Sequence, residues 1–340
     1  MSCPFVSGGY DDPWRQHKRS SPRIQLAPVI DGTDPGPAVD VTVAVIGICG
    51  VAHIGRCLDA LAVQAGAPAF DVVVVFDPRL EGVYALEERF PDVRFVSNLE
   101  QRTPLDLAAR AVRESTGDVV VLTEDHCVPE RGWLACLVDA LKPGRAAAGG
   151  AVEIAADADS LDWAFWFVDF FRYAPPIPEG PGASLTVCNV AYRRRDLDAI
   201  ASVWETTFHE TAVHREMADR FGSLWRAPGA RVTMRRHVRF ADALRERYAF
   251  GRLYGATRST FIGRARWLTY AVLAPLLPVL LIGRMKLRAL TTPGLRLPFV
   301  RALPALTGLV IAWSWGEWLG YVTRTEPAST AVAPEVETGR

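Results

Sequence analysis

The chain has no excess charge of either sign: 38 basic and 38 acidic side chains cancel. A balanced chain does not bind nucleic acid through its overall field. C-x-x-C pairs are missing too. The six cysteines, Cys3, Cys49, Cys57, Cys127, Cys136 and Cys188, fall mostly in apolar, strand-like contexts. That distribution disfavours a zinc site or a disulfide frame and fits reduced, buried thiols. After the first apolar run comes Gly47-Ile48-Cys49-Gly50 rather than G-x-G-x-x-G, and no Walker A loop occurs. Dinucleotide oxidoreductases and P-loop NTPases are disfavoured on those grounds. There is no internal repeat. Residues 1–38 mix charge, Pro, Gly and Ser without the apolar core of a signal peptide, and read as a disordered leader. Residues 326–340 read as a similar polar tail.

What is present is an alternation of strand and helix patterns. At 340 residues and 49% hydrophobic content the chain can bury a full α/β domain and something smaller. Apolar runs rich in β-branched residues predict strands at Val41–Ile48, Phe70–Phe76, Val93–Val96, 118–123 and Ala146–Ile154. Helical spacing predicts helices at Ile54–Gln64, Val83–Phe90, Pro104–Ser115 and Trp133–Leu141, with Thr103 as an N-cap before Pro104. Such alternation implies a largely parallel sheet with helices on both faces.

Two of these strands end in acid: Asp77 after the second, Glu124-Asp125-His126 after the fourth. Both open on the C-terminal rim, where open α/β sheets bind ligands. Carboxylates there, without a glycine-rich phosphate loop, suit a nucleotide held through a hard cation such as Mg²⁺ or Mn²⁺.

Over roughly residues 40–240 the chain resembles family-2 glycosyltransferases of the GT-A fold. Val41-Thr42-Val43-Ala44-Val45-Ile46 is similar to that family's opening strand. Val73-Val74-Val75-Phe76-Asp77 is similar to the strand whose terminal aspartate contacts the nucleotide base. Gly117 to Asp125 looks like the approach to its DxD motif, followed by Pro129 and Trp133-Leu134. The resemblance implies an α/β, GT-A nucleotide-diphospho-sugar transferase fold, a mostly parallel Rossmann-like sheet flanked by helices, with C-terminal hydrophobic helices added. It implies a divalent cation at Asp125 and His126, and a nucleotide-diphospho-sugar co-substrate contacted by Asp77, Glu124 and Asn189. It implies Glu210 as the base that takes the acceptor proton. Arg247 and Tyr248, within Arg245-Glu246-Arg247-Tyr248, stand where processive relatives carry QxxRW, whose arginine meets the diphosphate.

Three departures are visible. Gly47-Ile48-Cys49-Gly50 replaces the usual Pro-Thr-Tyr-Asn turn, Thr123 replaces the first DxD aspartate, and the family's Glu-Asp pair is His209-Glu210 or Glu210-Thr211. Each site residue also has an ordinary reading. Asp77, His126 and Asn189 suit turns, Glu210 suits the first turn of a helix, and Arg247 and Tyr248 suit an amphipathic helix.

After residue 240 the composition changes. Trp267–Gly283 is apolar but short for a span and contains Pro275 and Pro278. Ala302–Val322 is longer and carries Glu317 with Trp313, Trp315 and Trp318. The connector holds Arg284, Lys286, Arg288, Arg296 and Arg301 and no acid. If the first segment crossed the bilayer, this basic connector would lie opposite a cytosolic catalytic domain, against the positive-inside tendency. A re-entrant or interfacial hairpin avoids the conflict. The aromatic run Asp162–Tyr173 reads as a core helix or, preferably, as a wall along which a lipid-linked acceptor approaches.

The expected organisation is a leader (1–38), a GT-A domain (39–240), amphipathic and membrane-associated helices (241–325) and a tail (326–340). The expected activity is that of an inverting, metal-dependent, hexosyltransferase-like glycosyltransferase. Its partners would be a nucleotide sugar, a lipid-linked or polysaccharide acceptor and membrane lipids, with no nucleic acid. It would work at the cytoplasmic membrane face in cell-envelope glycan biosynthesis. The alternatives are a nucleotidyltransferase of related fold and a membrane scaffold whose catalytic site has decayed.

Overall fold

A computed structural model of the chain describes residues 40–98, 103–325 and 327. The leader and nearly all of the tail lie outside these residues. The strands are β1 (Val41–Gly47), β2 (Phe70–Phe76), β3 (Val93–Ser97), β4 (Val119–Glu124), β5 (Cys127–Pro129), β6 (Arg145–Ile154), β7 (Gly180–Gly182), β8 (Asn189–Arg193) and β9 (Ser223–Met234). The helices are α1 (Val51–Ala62), α2 (Pro104–Glu114), α3 (Trp133–Ala140), α4 (Ser160–Phe170), α5 (Arg194–Asp198), α6 (Ala201–Trp204), α7 (Glu210–Phe221), α8 (Phe240–Phe261), α9 (Arg264–Leu273), α10 (Leu277–Thr291) and α11 (Arg296–Thr323).

One sheet of nine strands runs in the order β3-β2-β1-β4-β8-β6-β9-β5, with β7 on β9. β1, β2, β3 and β4 pair in parallel, β8 is antiparallel to both neighbours, and β6 pairs in parallel with β9. The parallel strands are apolar along their whole length because helices cover both faces. Val41, Val43, Val45 and Val74 belong to one core, and Ala44, Ile46, Val73 and Val75 to the other. α2 starts as its sequence predicts. Thr103 Oγ1 accepts from the Asp106 N–H and Asp106 returns the bond to the Thr103 N–H, a reciprocal capping box with Pro104 at the first turn.

Two elements differ from the sequence-based expectation. Val83–Phe90 forms only a short 3-10 turn, Val83–Glu87. It enters from Gly82 at φ 76° and is cut off by Pro91, which drives the preceding residue out of helical geometry. The aromatic run forms α4, whose Phe165, Trp166, Phe167 and Phe170 are buried. Trp166 Nε1 bonds Val152 O of β6, and the Phe167 ring meets Phe299 of α11 edge-on at 5.3 Å. Rings placed all round a helix are buried on every side, so α4 is a core helix and not an exposed wall.

Beyond the sheet, α8 lies along α11 at backbone contact. Gly251 and Gly255 on α8 face Gly316 and Gly320 on α11. A Cβ on Gly316 would come 2.1 Å from Tyr248 O, and one on Gly255 would come 2.2 Å from Glu317 O. Small residues spaced four apart on both helices are what allows this approach. The first apolar segment runs as α9, a 3-10 turn at Ala274–Leu276 and α10, bent at Pro275 and Pro278. Arg264–Thr291 and Arg296–Thr323, each of 28 residues, are long and apolar enough to cross a membrane by length and composition.

The glycine contact yields a graded prediction. Gly316→Leu or Gly255→Leu lowers stability by about 1–3 kcal/mol or more, the cost of overpacking a tight contact. Gly283→Ala, where nothing lies within 4 Å of the new Cβ, leaves stability unchanged or slightly raised. Denaturant unfolding in detergent measures both, and equal effects at the two positions would contradict the glycine packing.

Candidate active site

The parallel register brings the predicted residues to one rim. Ile46 pairs with Glu124 and Gly47 with Phe76, so the β1–α1 loop, Asp77 and Asp125 leave the sheet side by side. Their backbones are cross-linked: Asp77 N–H bonds Gly47 O, and Asp125 N–H bonds Ile46 O. β8 enters the rim from the opposite direction, because it is antiparallel and Asn189 pairs with Thr123.

Asp125 is fully buried. Its Oδ2 accepts from the N–H groups of Ile48, Cys49 and Gly50 at 3.0, 2.8 and 3.2 Å. These donors lead into α1, whose N-cap, Gly50, offers no side-chain cap. A carboxylate from across the sheet therefore satisfies the loop at a helix N-terminus, where backbone dipoles favour a negative charge. Burial works to raise this carboxyl. The neighbouring His126 imidazole, the His53 charge and the Cys49 N–H outweigh it and hold the group below the ordinary carboxylate range.

The other oxygen, Oδ1, is buried without a hydrogen-bond partner. His126 Nδ1 lies 3.7 Å away, and Cys49 Sγ lies 3.7 Å from the same nitrogen. Ligand atoms of Cys49, Asp125 and His126 all fall within 4.8 Å of one another. An orphaned carboxylate oxygen beside an imidazole nitrogen fits a divalent cation. Cys49 contributes less, since burial, reinforced by Asp125, keeps its thiol protonated. Glu124 points to the other side of the imidazole, 3.5 Å from His126 Nε2.

Glu210 is the first residue of α7, and its Oε2 accepts from Val187 N–H at 2.8 Å. That bond ties it to the segment entering β8, at the same rim. Burial pushes its carboxyl up to about 7; the Glu124 charge adds to the rise, and the Val187 N–H and the Arg172 charge oppose it. Glu124 is raised as well, by burial first and then by Asp125 and Asp169, against His126 and Arg236.

Three other expected site residues are engaged within the protein. Asn189 is fully buried: its Oδ1 accepts from Trp133 Nε1, and its Nδ2 donates to Ala151 O and Ala230 O. It clamps the core and presents nothing to a ligand. Asp77 is on the rim, but its carboxylate is held by the backbone N–H of Arg79 at 2.9 Å and by the Arg79 guanidinium. What it offers outward is an ion pair rather than a lone acceptor. Arg247 is buried, with Nη1 on Asp169 at 2.6 Å and Nη2 on Glu246 at 2.8 Å, so its terminal nitrogens are committed within the protein. Tyr248, half-buried, follows it on α8.

Sequence reasoning missed the network around Arg247. Arg236 Nη1 meets Glu246 at 2.9 Å, and both guanidinium groups lie over the Phe165 ring at 4.9 and 4.8 Å. These residues come from α4, the segment just after β9 and α8, and no local pattern joins them. Cys49 was legible only as a departure from the usual turn after β1.

A carboxyl raised in the folded state binds its proton more tightly there than in the unfolded chain. Glu210 therefore weakens folding as pH rises from its unfolded value, near 4.5, through about 7. Glu210→Gln gains stability over wild type at pH 8, and the gain disappears by about pH 4. Unfolding midpoints across that range measure it; a constant difference would refute the burial argument.

Residues 51–201 match the family described as Glycosyl transferase family 2. A search of curated proteins gives no match. Among solved structures the chain is similar to the mannosyltransferase PcManGT from Pyrobaculum calidifontis in complex with GDP-Man and Mn2+. That similarity has 17% identity over 83% of this chain and 89% of that one, with a TM-score of 0.48. It is also similar to GalNAc-T7 with UDP, GalNAc and Mn2+, at 12% identity over 58% of this chain and 44% of that one, TM-score 0.43. Glucosyl-3-phosphoglycerate synthase from Mycobacterium tuberculosis, in complex with Mn2+, UDP and phosphoglyceric acid, is similar at 12% identity over 58% and 71%, TM-score 0.41. The described residues form a mixed, mostly parallel α/β sheet with long C-terminal helices, and the stretch that matches glycosyl transferase family 2 runs from α1 through β8 into α6.

Proposed function

We propose that this glycosyltransferase moves a hexose, with inversion, from a nucleotide-diphosphate donor to a hydroxyl of a lipid-linked or glycan acceptor at the cytoplasmic face of a membrane. The observation that carries this reading is Glu210: a buried carboxyl, pushed up to about 7, on the same rim as Asp125 and Glu124. A base with that affinity is about half deprotonated at neutral pH and accepts a proton readily. The acceptor oxygen attacks the anomeric carbon as its proton passes to Glu210, and the bond to the diphosphate oxygen breaks on the opposite face. When bound at Asp125 Oδ1 and His126, a divalent cation supplies neutralising charge to the departing diphosphate. Glu124, beside His126, orients that imidazole. The Asp77–Arg79 pair lies at the corner where the base would sit. In this reading residues 39–240 do the chemistry and 241–325 place it against the membrane, and the product serves cell-envelope glycan assembly.

Calorimetry with UDP, GDP, CMP and dTDP, with and without Mn²⁺, tests the donor site. One nucleoside diphosphate binds, and EDTA or Asp125→Asn abolishes that binding. Asn retains an oxygen for the loop N–H groups and so separates loss of charge from loss of fold. Glu210→Gln keeps nucleotide binding and lowers kcat by about 10²–10⁴-fold, with wild-type kcat rising toward pH 7. Folded protein that binds no nucleotide would sink the transferase reading in favour of a decayed scaffold.

A further inference from the structure

The sequence between Glu246 and Glu317 contains ten basic residues and no acidic one, in a chain whose total charge is zero. Among the described residues, all exposed large apolar side chains except Val63, Tyr84 and Phe240 fall on α9, α10, α11 and the turn at Ala274–Leu276. Val279 is 77% exposed and Leu287 65%. An apolar face this extensive on a folded chain marks an interaction surface. The basic side chains at its edges, Arg264, Arg266, Arg284, Lys286, Arg296 and Arg301, are exposed too.

The packing decides how this face meets its partner. Gly251 of α8 touches the backbone at Trp313, and Gly255 touches it at Glu317, both within the stretch of α11 that a spanning helix would hold in hydrocarbon. Arg247, four residues before Gly251, is paired to Asp169 of α4. α11 also meets α4 through Phe299. A spanning α11 would therefore drag α8, with Arg247 and Arg252, and part of the transferase domain into hydrocarbon, where charged groups are strongly disfavoured. The other limb is tied down at both ends. Arg288 of α10 donates to Ala174 O and Pro176 O of the sheet domain at 2.6 and 3.2 Å, and Trp267 of α9 donates to Tyr321 O at 3.0 Å. α10 and α11 each have one side on protein and the other open, and α9, which buries no residue, is open over most of its surface.

We infer that α9, α10 and α11 lie flat in a single leaflet of an anionic phospholipid membrane, outer face in the acyl chains and basic rim among the headgroups, without crossing it. The inference rests on the membrane reading above. Both turns of the hairpin then stay on the transferase side. The apolar face supplies burial, and the basic rim, unopposed by acid, selects anionic headgroups.

Single cysteines at Gly263→Cys, Val279→Cys and Pro293→Cys in the full chain test the placement. Labelling by a membrane-impermeant maleimide is read by peptide mass in inside-out and right-side-out vesicles from expressing cells. Positions 263 and 293 label in inside-out vesicles and not in right-side-out ones, and position 279 labels only after detergent. Labelling of 263 and 293 from opposite sides overturns the one-leaflet placement while leaving membrane association intact. Flotation of purified protein with phosphatidylglycerol-containing vesicles exceeds that with pure phosphatidylcholine. The pair Arg284→Glu and Lys286→Glu lowers the anionic partitioning at least tenfold without changing nucleotide binding. Equal flotation with neutral vesicles overturns the headgroup assignment. No flotation with either, in protein that still binds nucleotide, removes the membrane reading and leaves the transferase standing.

Discussion

Everything at the rim depends on one buried carboxylate. Asp125 sits at the end of a strand with no exposed surface, and three backbone N–H groups of the β1–α1 loop converge on one of its oxygens. A desolvated anion is tolerable only with compensation of this kind, and charge-assisted bonds to backbone donors are among the stronger ones a protein can make. The arrangement fixes three things together: where α1 begins, where the loop carrying Cys49 runs, and which carboxylate oxygen remains unbonded beside His126. Thr123, two residues earlier, turns the other way: its hydroxyl bonds Cys188 O at 3.0 Å and stays within the core.

A second constraint joins the rim to the C-terminal helices. α8 carries Glu246 and Arg247 toward α4 on one side and its glycines toward α11 on the other. Its N-terminal half therefore cannot shift without disturbing both a buried ion network and a backbone contact. Removing one partner of such a network leaves an uncompensated buried charge, typically at a cost of about 3–5 kcal/mol. Arg236 and Arg247 share the Phe165 face and divide the carboxylates of Glu246 and Asp169 between them. The pairing holds two cations close to Cys49 and Glu124 with their net charge cancelled.

The sheet was legible because its signals are local. β-branched runs bounded by Gly, Pro or Asp set β1, β2 and β4 to within a residue or two, and Thr103-Pro104 set the start of α2. α10 was harder to bound. The apolar window stops at Gly283, yet the helix continues to Thr291 through Arg284, Lys286 and Arg288, which propagate a helix well. Of the expected site residues, Asp125, His126, Glu124 and Glu210 lie together on one rim. Asn189 was ambiguous, because an asparagine after an apolar stretch suits a turn as well as a core, and its bonds to Trp133, Ala151 and Ala230 appear only in three dimensions. Arg236 and Asp169 carried no local signal, since their partners lie far away in sequence.

The close approach of α8 and α11 has a metric consequence. Helices that touch through glycine pack at or below the usual interaxial distance of about 8–10 Å. With α11 in the leaflet as inferred above, α8 and α4, which both pack on α11, form the layer directly against it. The glycine contact then sets the height of α8 over the lipid, and with it the height of the buried Glu246 and Arg247 that α8 carries.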